Sequence, residues 1–371
     1  MREPNARHRT VRAAAPGLML ILALAALAPA LRAGTLTLAN GDQVAGTLVR
    51  ADAKQIVFNA NLMGNLNLQW KQIRTLNTSA ALVVIPNRGR PVTGEISYSA
   101  GKLYILPPAG QEIIWPVTGI NLILTTALYK HYIVQRPNLL QGWHGSIAGG
   151  FGFVSATQSS QSYTASVNLT RPIPDVNWLL PRSNTQFSLQ ETYGSLTQPA
   201  TATEPALQVK TSVFTAALEQ DQYFSRSLFV LAQAQLDHNF AQGLQLQQSY
   251  GPGIGWAAFR NFDLKMDLHL TIEQFLAAPR TTFLAASIAE TYTRALGPLH
   301  WSESISAQPP ITNGQATGNT FQANGTTTVS VPIYKRLGFN TTLTDSYLGN
   351  PQPGFRHNSL QFSTGLQINL P

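Results

Sequence analysis

Residues 262–275, FDLKMDLHLTIEQF, alternate between apolar and polar side chains almost without a break. A helix would scatter both kinds around its axis, whereas a β-strand places the apolar ones on one face and the polar ones on the other. The segment therefore predicts a strand. Its apolar face would point into the core of a soluble sheet but toward lipid in an outer-membrane barrel. The pattern alone leaves open which face meets water.

Similar alternation recurs between Gly142 and Pro371. A strand that is tilted across a bilayer needs about 9–11 residues, whereas strands of globular proteins average about five or six. Nearly all of the segments have the greater length, which favours a membrane barrel. The twelve segments centre on 143–154, 162–171, 185–194, 207–218, 227–238, 248–258, 262–274, 282–294, 299–307, 320–332, 336–347 and 358–370.

The connections between these segments also follow the rule for membrane barrels, which have short periplasmic turns and long outer loops. If the chain enters from the periplasm, the connections at 308–319 and 348–358 face outward, and both are long and rich in Pro, Asn and Gly. One connection breaks the rule, because 172–184 is long and apolar on the periplasmic side. It either folds over the mouth of the lumen or indicates a wrong register there. The short periplasmic connections are FRN (259–261), ALGP (295–298) and IYK (333–335).

Composition supports the same interpretation. Only 11% of the residues are charged, whereas about 25% is usual in soluble domains. A barrel whose strands face lipid on one side and a wet, uncharged lumen on the other does not need more charged residues. There is no Cys, which excludes disulfides, thiolate metal sites, a catalytic Cys and a lipidated N-terminal Cys.

The N-terminus has the three parts of a secretory signal peptide. A basic stretch is followed by an apolar run at 18–28 and by small residues up to Ala33. We expect cleavage after Ala33, with Ala30 as the alternative bond. A permanent membrane anchor is the competing interpretation, but the run of 11 residues is too short to span a bilayer. No other stretch is long and apolar enough for a helical span, so any membrane span must be a barrel.

The net charge of +8 comes partly from this leader, which carries five Arg against one acid. The remaining chain has 20 basic and 16 acidic residues and no basic run. A nucleic-acid partner is therefore not expected.

Residues 36–76 and 83–124 align as two copies of a small all-β unit. Each copy has an Asn/Gly turn, a Gly (Gly46 and Gly94) and a Trp (Trp70 and Trp115) before a short apolar stretch. We expect the copies to pack together, because one alone has little core. Both Trp side chains are expected to anchor that core.

The predicted fold class is all-β: an antiparallel outer-membrane β-barrel of about 12 strands, preceded by a small periplasmic β module of two repeats. A soluble secreted sandwich is the alternative. The predicted organisation is a signal peptide (1–33), the module (34–124), a connector (125–141) and the barrel (142–371).

Four stretches resemble a known family, domain of unknown function 481, whose members are called salt-induced outer membrane proteins. The resemblance covers roughly 34–76 and 142–371, and it implies an outer-membrane location and a barrel but no established activity and no catalytic residues. The stretches are LTLANGDQVAGTLV…LNLQWKQIRTL (36–76), GWHGSIAGGFGF (142–153), SYGPGIGWAAF (249–259) and NSLQFSTGLQINL (358–370).

Enzyme motifs are absent from the sequence: it contains no Gly-x-Ser-x-Gly, no His-Glu-x-x-His and no phosphate-binding loop. We therefore predict no catalytic, cofactor-binding or metal-binding residues and no cofactor. The densest charge cluster is predicted to line the lumen, either as structural filling or as a constriction that selects permeants by charge. Its members are Asp263, Lys265, Asp267, His269 and Glu273.

The leading hypothesis is a non-enzymatic outer-membrane barrel of a Gram-negative-type bacterium, with a module for envelope contacts. The alternative is a narrow, weakly selective passive channel for small solutes or ions. A third hypothesis, an outer-membrane lipid hydrolase that uses His269, lacks a visible nucleophile. The expected partners are outer-membrane lipid, the barrel assembly machinery during biogenesis and a periplasmic envelope component.

Overall fold

The computed structural model of the protein describes residues 34–135, 137–155, 159–198, 205, 207–259, 261–276, 278–312, 321–351 and 356–371. The predicted signal peptide lies outside the described residues. The chain forms two compact units, 1–136 and 137–371.

The first unit is a β module of two repeats with five strands each. The repeats span 34–77 and 82–125, which confirms the predicted duplication. The first repeat contains β1 (Gly34–Leu38), β2 (Gln43–Asp52), β3 (Gln55–Ala60), β4 (Gly64–Gln69) and β5 (Ile73–Asn77). The second contains β6 (Leu82–Pro86), β7 (Val92–Ser99), β8 (Lys102–Leu106), β9 (Ile113–Pro116) and β10 (Ile120–Thr125).

Six of these strands close into a small barrel, in the order β1–β5–β7–β6–β10–β2, because β2 also pairs with β1. The last strand of each repeat pairs with the second strand of the other, β5 with β7 and β10 with β2. Neither repeat can complete the ring alone. Two hairpin extensions complete the module, β3–β4 from β2 and β8–β9 from β7.

The core of the module lies inside this ring and is apolar. Trp70 is buried there and donates from its indole Nε1 to the carbonyl of Asp52 at 2.7 Å, while Trp115 packs against the core half-buried. Two glycines at equivalent positions permit the close strand approach: a Cβ on Gly46 would lie 2.2 Å from Asn59 O, and a Cβ on Gly94 would lie 2.5 Å from Leu106 O. Fully buried core residues include Leu36, Ile56, Phe58, Leu76, Val84, Leu103, Ile105 and Ile123.

The predicted connector contains a short α-helix, α1 (Thr126–Tyr129), which continues as a π-helical turn (Lys130–Val134). The Thr125 hydroxyl caps α1 by accepting a hydrogen bond from the Leu128 amide. None of the helices in the described part of the chain is long and apolar enough to span a membrane.

The second unit is a closed barrel of twelve antiparallel strands, in which each strand pairs with its neighbour in sequence and β22 closes on β11. All twelve strands predicted from the alternation are confirmed. They are β11 (His144–Ser155), β12 (Ser159–Ile173), β13 (Ser183–Gln198), β14 (Leu207–Tyr223), β15 (Leu228–Asn239), β16 (Leu244–Phe259), β17 (Phe262–Phe275), β18 (Thr281–Leu296), β19 (Leu299–Gln308), β20 (Gln322–Tyr334), β21 (Leu337–Leu348) and β22 (Asn358–Leu370).

The apolar rows of the barrel face outward. On β17, Met266 and Leu268 are 46% and 56% exposed, whereas Asp267 and His269 are 7% and 1% exposed. The alternation in 262–275 is therefore that of an outer-membrane barrel, with apolar side chains outside and polar ones inside. This answers the question that the pattern alone left open.

The two ends of the barrel differ in their connections. One end, the loop end, carries the long connections 309–321 and 349–357. The opposite end, the turn end, carries the tight connections 297–298 and 335–336. The long connection at 174–182 also lies at the turn end, and the β12–β13 register continues regularly up to it, with Ile173 opposite Ser183. The predicted register there is correct.

Arg171 holds the chain that leads into the barrel. Although it lies near the end of β12, its side chain is only 6% exposed. Its guanidinium donates to the carbonyls of Pro137, Asn138 and Gln141 at 2.8–3.0 Å. Three carbonyls without strand partners are thus satisfied by one charged donor.

Candidate functional site

The barrel interior has one acidic wall. Within the described residues, every carboxylate on the inward rows comes from β14, β15 or β17. Lys265 is the one Lys or Arg side chain on the described inward rows. The other inward rows carry mainly Ser, Thr, Asn and Gln. The inward acids are Glu219, Asp221, Asp237, Asp263, Asp267 and Glu273.

The structure brings the five predicted lumen residues onto the inward row of β17. The Lys265 ammonium contacts Glu219 Oε1 of β14 at 2.5 Å, with both side chains largely buried. Asp267 contacts His269, and the amide nitrogen of Gln233 lies 2.6 Å from His269 Nε2. Asp263 is half-buried nearest the turn end. Most of these groups therefore bond to one another or to other strands of the acidic wall, an arrangement that suits structural filling.

Near the loop end, two side chains bridge the barrel between non-adjacent strands. Gln247 of β16 and Gln322 of β20 exchange amide hydrogen bonds at 3.1 and 2.8 Å. Gln322 also donates to Glu273 Oε1 at 2.9 Å. Since β16 and β20 are separated by three strands around the ring, these bonds cross the lumen rather than follow the wall.

A second bridge lies closer to the loop end. Gln242, in the short connection between β15 and β16, donates to the carbonyls of Ser346 and His357 at 3.2 and 2.6 Å. Asn239 donates to the Gln242 side-chain oxygen at 2.7 Å and fixes its orientation. The contact joins opposite walls of the twelve-stranded ring.

An apolar cluster adds to this closure. Leu244, Phe275 and Leu348 meet where their strands end at the loop end, and each is less than 8% exposed. Their side chains lie on inward rows that are otherwise polar. Together with the two bridges, the cluster constricts the lumen near the loop end, which we call the loop-end closure.

The rest of the lumen contains a chamber of about 560 Å³. It extends toward the turn end, since Ser146, Asn340 and Gln367 of its wall lie within three residues of strand ends there. None of the described residues that line it is ionisable. Ser, Thr, Asn and Gln present donors and acceptors without fixed charge, so the chamber suits water or neutral polar solutes.

The sequence prediction missed part of this site. Segment 207–218 ended too early, because β14 continues to Tyr223 and places Glu219 and Asp221 on the inward row. Extending the alternation through LEQDQY would have found both acids. Gln247 and Gln322 carried no such signal, since their contact depends on the closure of the barrel.

The surroundings of His269 do not support the role that the lipid-hydrolase hypothesis gives it. The side chain is 1% exposed and lies inside the barrel, away from lipid. Its hydrogen-bond and ion-pair partners are Gln233 and Asp267, with no serine hydroxyl among them. No group of three or more metal-ligating His, Asp or Glu side chains occurs in the part of the chain that the structure describes.

Comparison with known proteins gives one family match. The model of the family described as "Protein of unknown function, DUF481" matches residues 148–369. The match covers the barrel, so the resemblance of 34–76 to a module of that family stays a prediction. No curated protein sequence matches this chain.

Solved structures that are similar to the chain are outer-membrane barrels. A KdgM porin is 5% identical, with a TM-score of 0.32 over 62% of this chain and 99% of the porin. The COG4313 outer membrane channel from Pseudomonas putida F1 is 8% identical, with a TM-score of 0.35 over 63% and 100% of the two chains. Outer membrane phospholipase A from Escherichia coli is 12% identical, with a TM-score of 0.32 over 65% and 97%.

Proposed function

Because this chain belongs to the DUF481 family of proteins of unknown function, we propose a function from the barrel itself. The protein is an outer-membrane β-barrel whose lumen is filled and constricted by its own side chains. Its N-terminal module faces the periplasm and contacts another envelope component. The proposal assigns no chemistry to the lumen.

The observation that carries the proposal is the inversion of the barrel's faces. Twelve long strands close without a free edge, and their apolar rows point outward. In water this apolar surface would be exposed at a cost in free energy, whereas in a bilayer it contacts lipid chains while the paired strands satisfy each other's backbone groups. The low charge content of the chain agrees with this.

The orientation follows from the unequal ends. Long loops face outward and short turns face the periplasm in such barrels. β11 begins at the turn end, so the chain enters from the periplasm and residues 34–125 are assigned there. Export through the predicted signal peptide at 1–33 and insertion by the barrel assembly machinery belong to the same proposal.

Cell fractionation and gel mobility test this proposal together. We expect the full-length protein in the outer-membrane fraction, with a band that shifts on boiling as the closed barrel unfolds. A tag inserted at 309–321 should be accessible on intact cells, whereas a tag after Asn61 should become accessible only after the outer membrane is opened. A periplasmic protein that needs no detergent and shows no shift would overturn the proposal.

The chamber supports a second candidate function, a narrow passive channel. Its 560 Å³ and uncharged wall suit small neutral solutes, and the loop-end closure lies between it and the loop end. The double variant Gln247→Ala/Gln322→Ala should then raise single-channel conductance in planar bilayers, with Gln208→Ala outside the lumen as control. If wild type and double variant are equally silent at high protein dose, the channel is excluded.

A further inference from the structure

A serine, a histidine and a glutamate meet on the outer surface of the barrel, on three successive strands. Ser212 Oγ of β14 lies 2.6 Å from Glu191 Oε1 of β13. The same oxygen lies 2.7 Å from His238 Nε2 of β15. We call these three residues the outer-face cluster. It lies outside the lumen, and it goes beyond the proposed function.

Strand register places the cluster on the face that meets lipid. Glu191 lies on the outward row of β13 that also contains Phe187 and Leu189, and it is paired with Phe214 of β14. His238 lies on the outward row of β15 with Leu236, which is 39% exposed. Ionisable side chains on such a row cost free energy, most at mid-bilayer and less near the interface.

The outer-face cluster lies at the depth of the membrane–water interface on the loop-end side of the barrel. Ser212 is the direct cross-strand partner of Tyr193, which in turn is paired with Tyr163. Both Tyr side chains face outward in the half of the barrel nearer the loop end, where aromatic residues form the girdle of a membrane barrel. The acyl ester groups of membrane lipids lie at this same boundary between headgroups and chains.

The hydrogen bonds of Ser212 leave it prepared for attack. A carboxylate can only accept, so the single hydroxyl proton is donated to Glu191. His238 Nε2 must then carry hydrogen and donate to Ser212 Oγ. One lone pair of Oγ is occupied by this bond and the other remains free, while the proton that has to leave already points at a base.

Two rings hold His238 in place. Phe240 stacks on the imidazole with ring centroids 4.8 Å apart and planes inclined by 7°. The ring of Phe214, on the neighbouring strand β14, has its centroid 5.5 Å from that of the imidazole. The orientation of the imidazole is thus set by packing, and its bond to Ser212 fixes the direction of the hydroxyl.

Lys210 adds a group that matches the lipid headgroup. It lies two residues from Ser212 on the same outward row of β14 and nearer to the loop end, and its side chain is exposed. It forms no ion pair with any residue that the structure describes. The phosphates of membrane lipids lie farther from the bilayer centre than their ester carbonyls. Lys210 likewise lies farther from the barrel middle than Ser212, so the two residues match the order of phosphate and ester.

We propose that the outer-face cluster is a hydrolytic site for acyl esters of outer-leaflet lipids, with Ser212 as nucleophile and Glu191 as general base. Ser212 Oγ bonds to the ester carbonyl carbon while its proton passes to Glu191. Collapse of the adduct breaks the ester C–O bond, and Glu191 returns the proton to the departing lipid alkoxide. Water then attacks the acyl-serine, giving its proton to Glu191, and the released serine recovers it. His238 is a positioning residue.

A labelling experiment tests the nucleophile without a choice of substrate. Full-length protein in detergent micelles is treated with a long-chain fluorophosphonate, which phosphonylates an activated serine, and the modified peptide is identified by mass spectrometry. We expect modification at Ser212 in the wild type, none in Ser212→Ala, and labelling at least about 100-fold slower in Glu191→Gln, because a general base typically contributes that factor or more. Each variant must retain its heat-modifiable gel shift.

Ser195→Ala is the matched control, since Ser195 lies on the same outer face and its hydrogen-bond partner is the amide of Gln208 rather than a base. It should label like the wild type. In His238→Gln we expect slower labelling with an altered pH profile, whereas a merely structural role would leave the profile unchanged. Wild-type protein that labels no faster than Ser212→Ala would overturn the proposal and leave the outer-membrane location untouched.

Fatty acid release identifies the lipid. Phosphatidylethanolamine in mixed micelles and purified lipopolysaccharide both present acyl esters beside phosphate, and they are assayed separately. Release that depends on Ser212 from either source supports the site and names its substrate. Absence of release from both, with Ser212 unlabelled, rejects it.

Discussion

In the N-terminal module the apolar rows of the strands face inward, and in the barrel they face outward. Ile56 and Phe58 on β3 are fully buried, whereas Met266 and Leu268 on β17 are about half exposed. Both strands have the period of two that any β-strand has. The comparison shows that alternation specifies a strand and its register, while the surroundings of the closed sheet decide which row lies inside.

The largest expected effect is on the core of the module. Phe58→Ala removes a fully buried aromatic side chain and should destabilise the module by about 3–5 kcal/mol, because transfer and cavity terms add. Hydrogen exchange of the full chain in detergent measures this loss of module stability. We expect faster exchange in peptides from 34–125 and unchanged exchange in barrel strands. Met63→Ala, at an exposed position of the same unit, is the control, and equal exchange in both variants would contradict the assignment of the core.

A charge placed on each unit sharpens the contrast between lipid and water. Leu268→Arg, at the middle of β17 on its outward row, should cost about 2–4 kcal/mol of folding stability in vesicles, as an Arg at mid-bilayer does. Leu62→Arg makes the same chemical change at a position that is 98% exposed, and its cost should stay within about 0.5 kcal/mol. A urea titration of the heat-modifiable band measures the stability of the Leu268→Arg barrel, and hydrogen exchange of peptides from 34–125 measures that of the Leu62→Arg module. Equal tolerance of both changes would mean that the outward row of β17 does not meet lipid.

The symmetry of the module gives a finer test. Gly46→Ala and Gly94→Ala each drive a Cβ against a backbone carbonyl, so each should destabilise the module by about 1–3 kcal/mol through overpacking. Gly119→Ala meets only ordinary contacts at 3.6 Å and serves as the neutral control. Hydrogen exchange of peptides from 34–125 at increasing temperature should show similar losses of stability in the Gly46 and Gly94 variants. A large loss in one repeat alone would show that the repeats are not equivalent in packing.

The alternation made most of the fold predictable from the sequence. All twelve barrel strands follow from it, since the period of two does not depend on which row faces water. The two repeats follow instead from the recurring Asn/Gly turn, Gly and Trp. The candidate site was predictable only along one strand, as with Asp267 and His269 on β17. The partners that close the lumen lie on distant strands, so no local pattern contains them. The outer-face cluster was missed for the same reason: Ser212 and His238 meet only when β14 pairs with β15.

The smallest effect concerns the loop-end closure, where an apolar cluster inside the barrel resembles the core of the module. Gln242→Ala removes donors to Ser346 O and His357 O, and each such bond contributes about 1 kcal/mol of net stability. The heat-modifiable shift should therefore persist, while hydrogen exchange at the end of β21 increases. Gln208→Ala, which loses one exposed bond to Ser195, should leave that region unchanged. If the β21 end exchanges equally slowly in both variants, the closure depends on Leu244, Phe275 and Leu348 rather than on the glutamine bridge, and the apolar cluster is what makes this end of the lumen behave like a protein core.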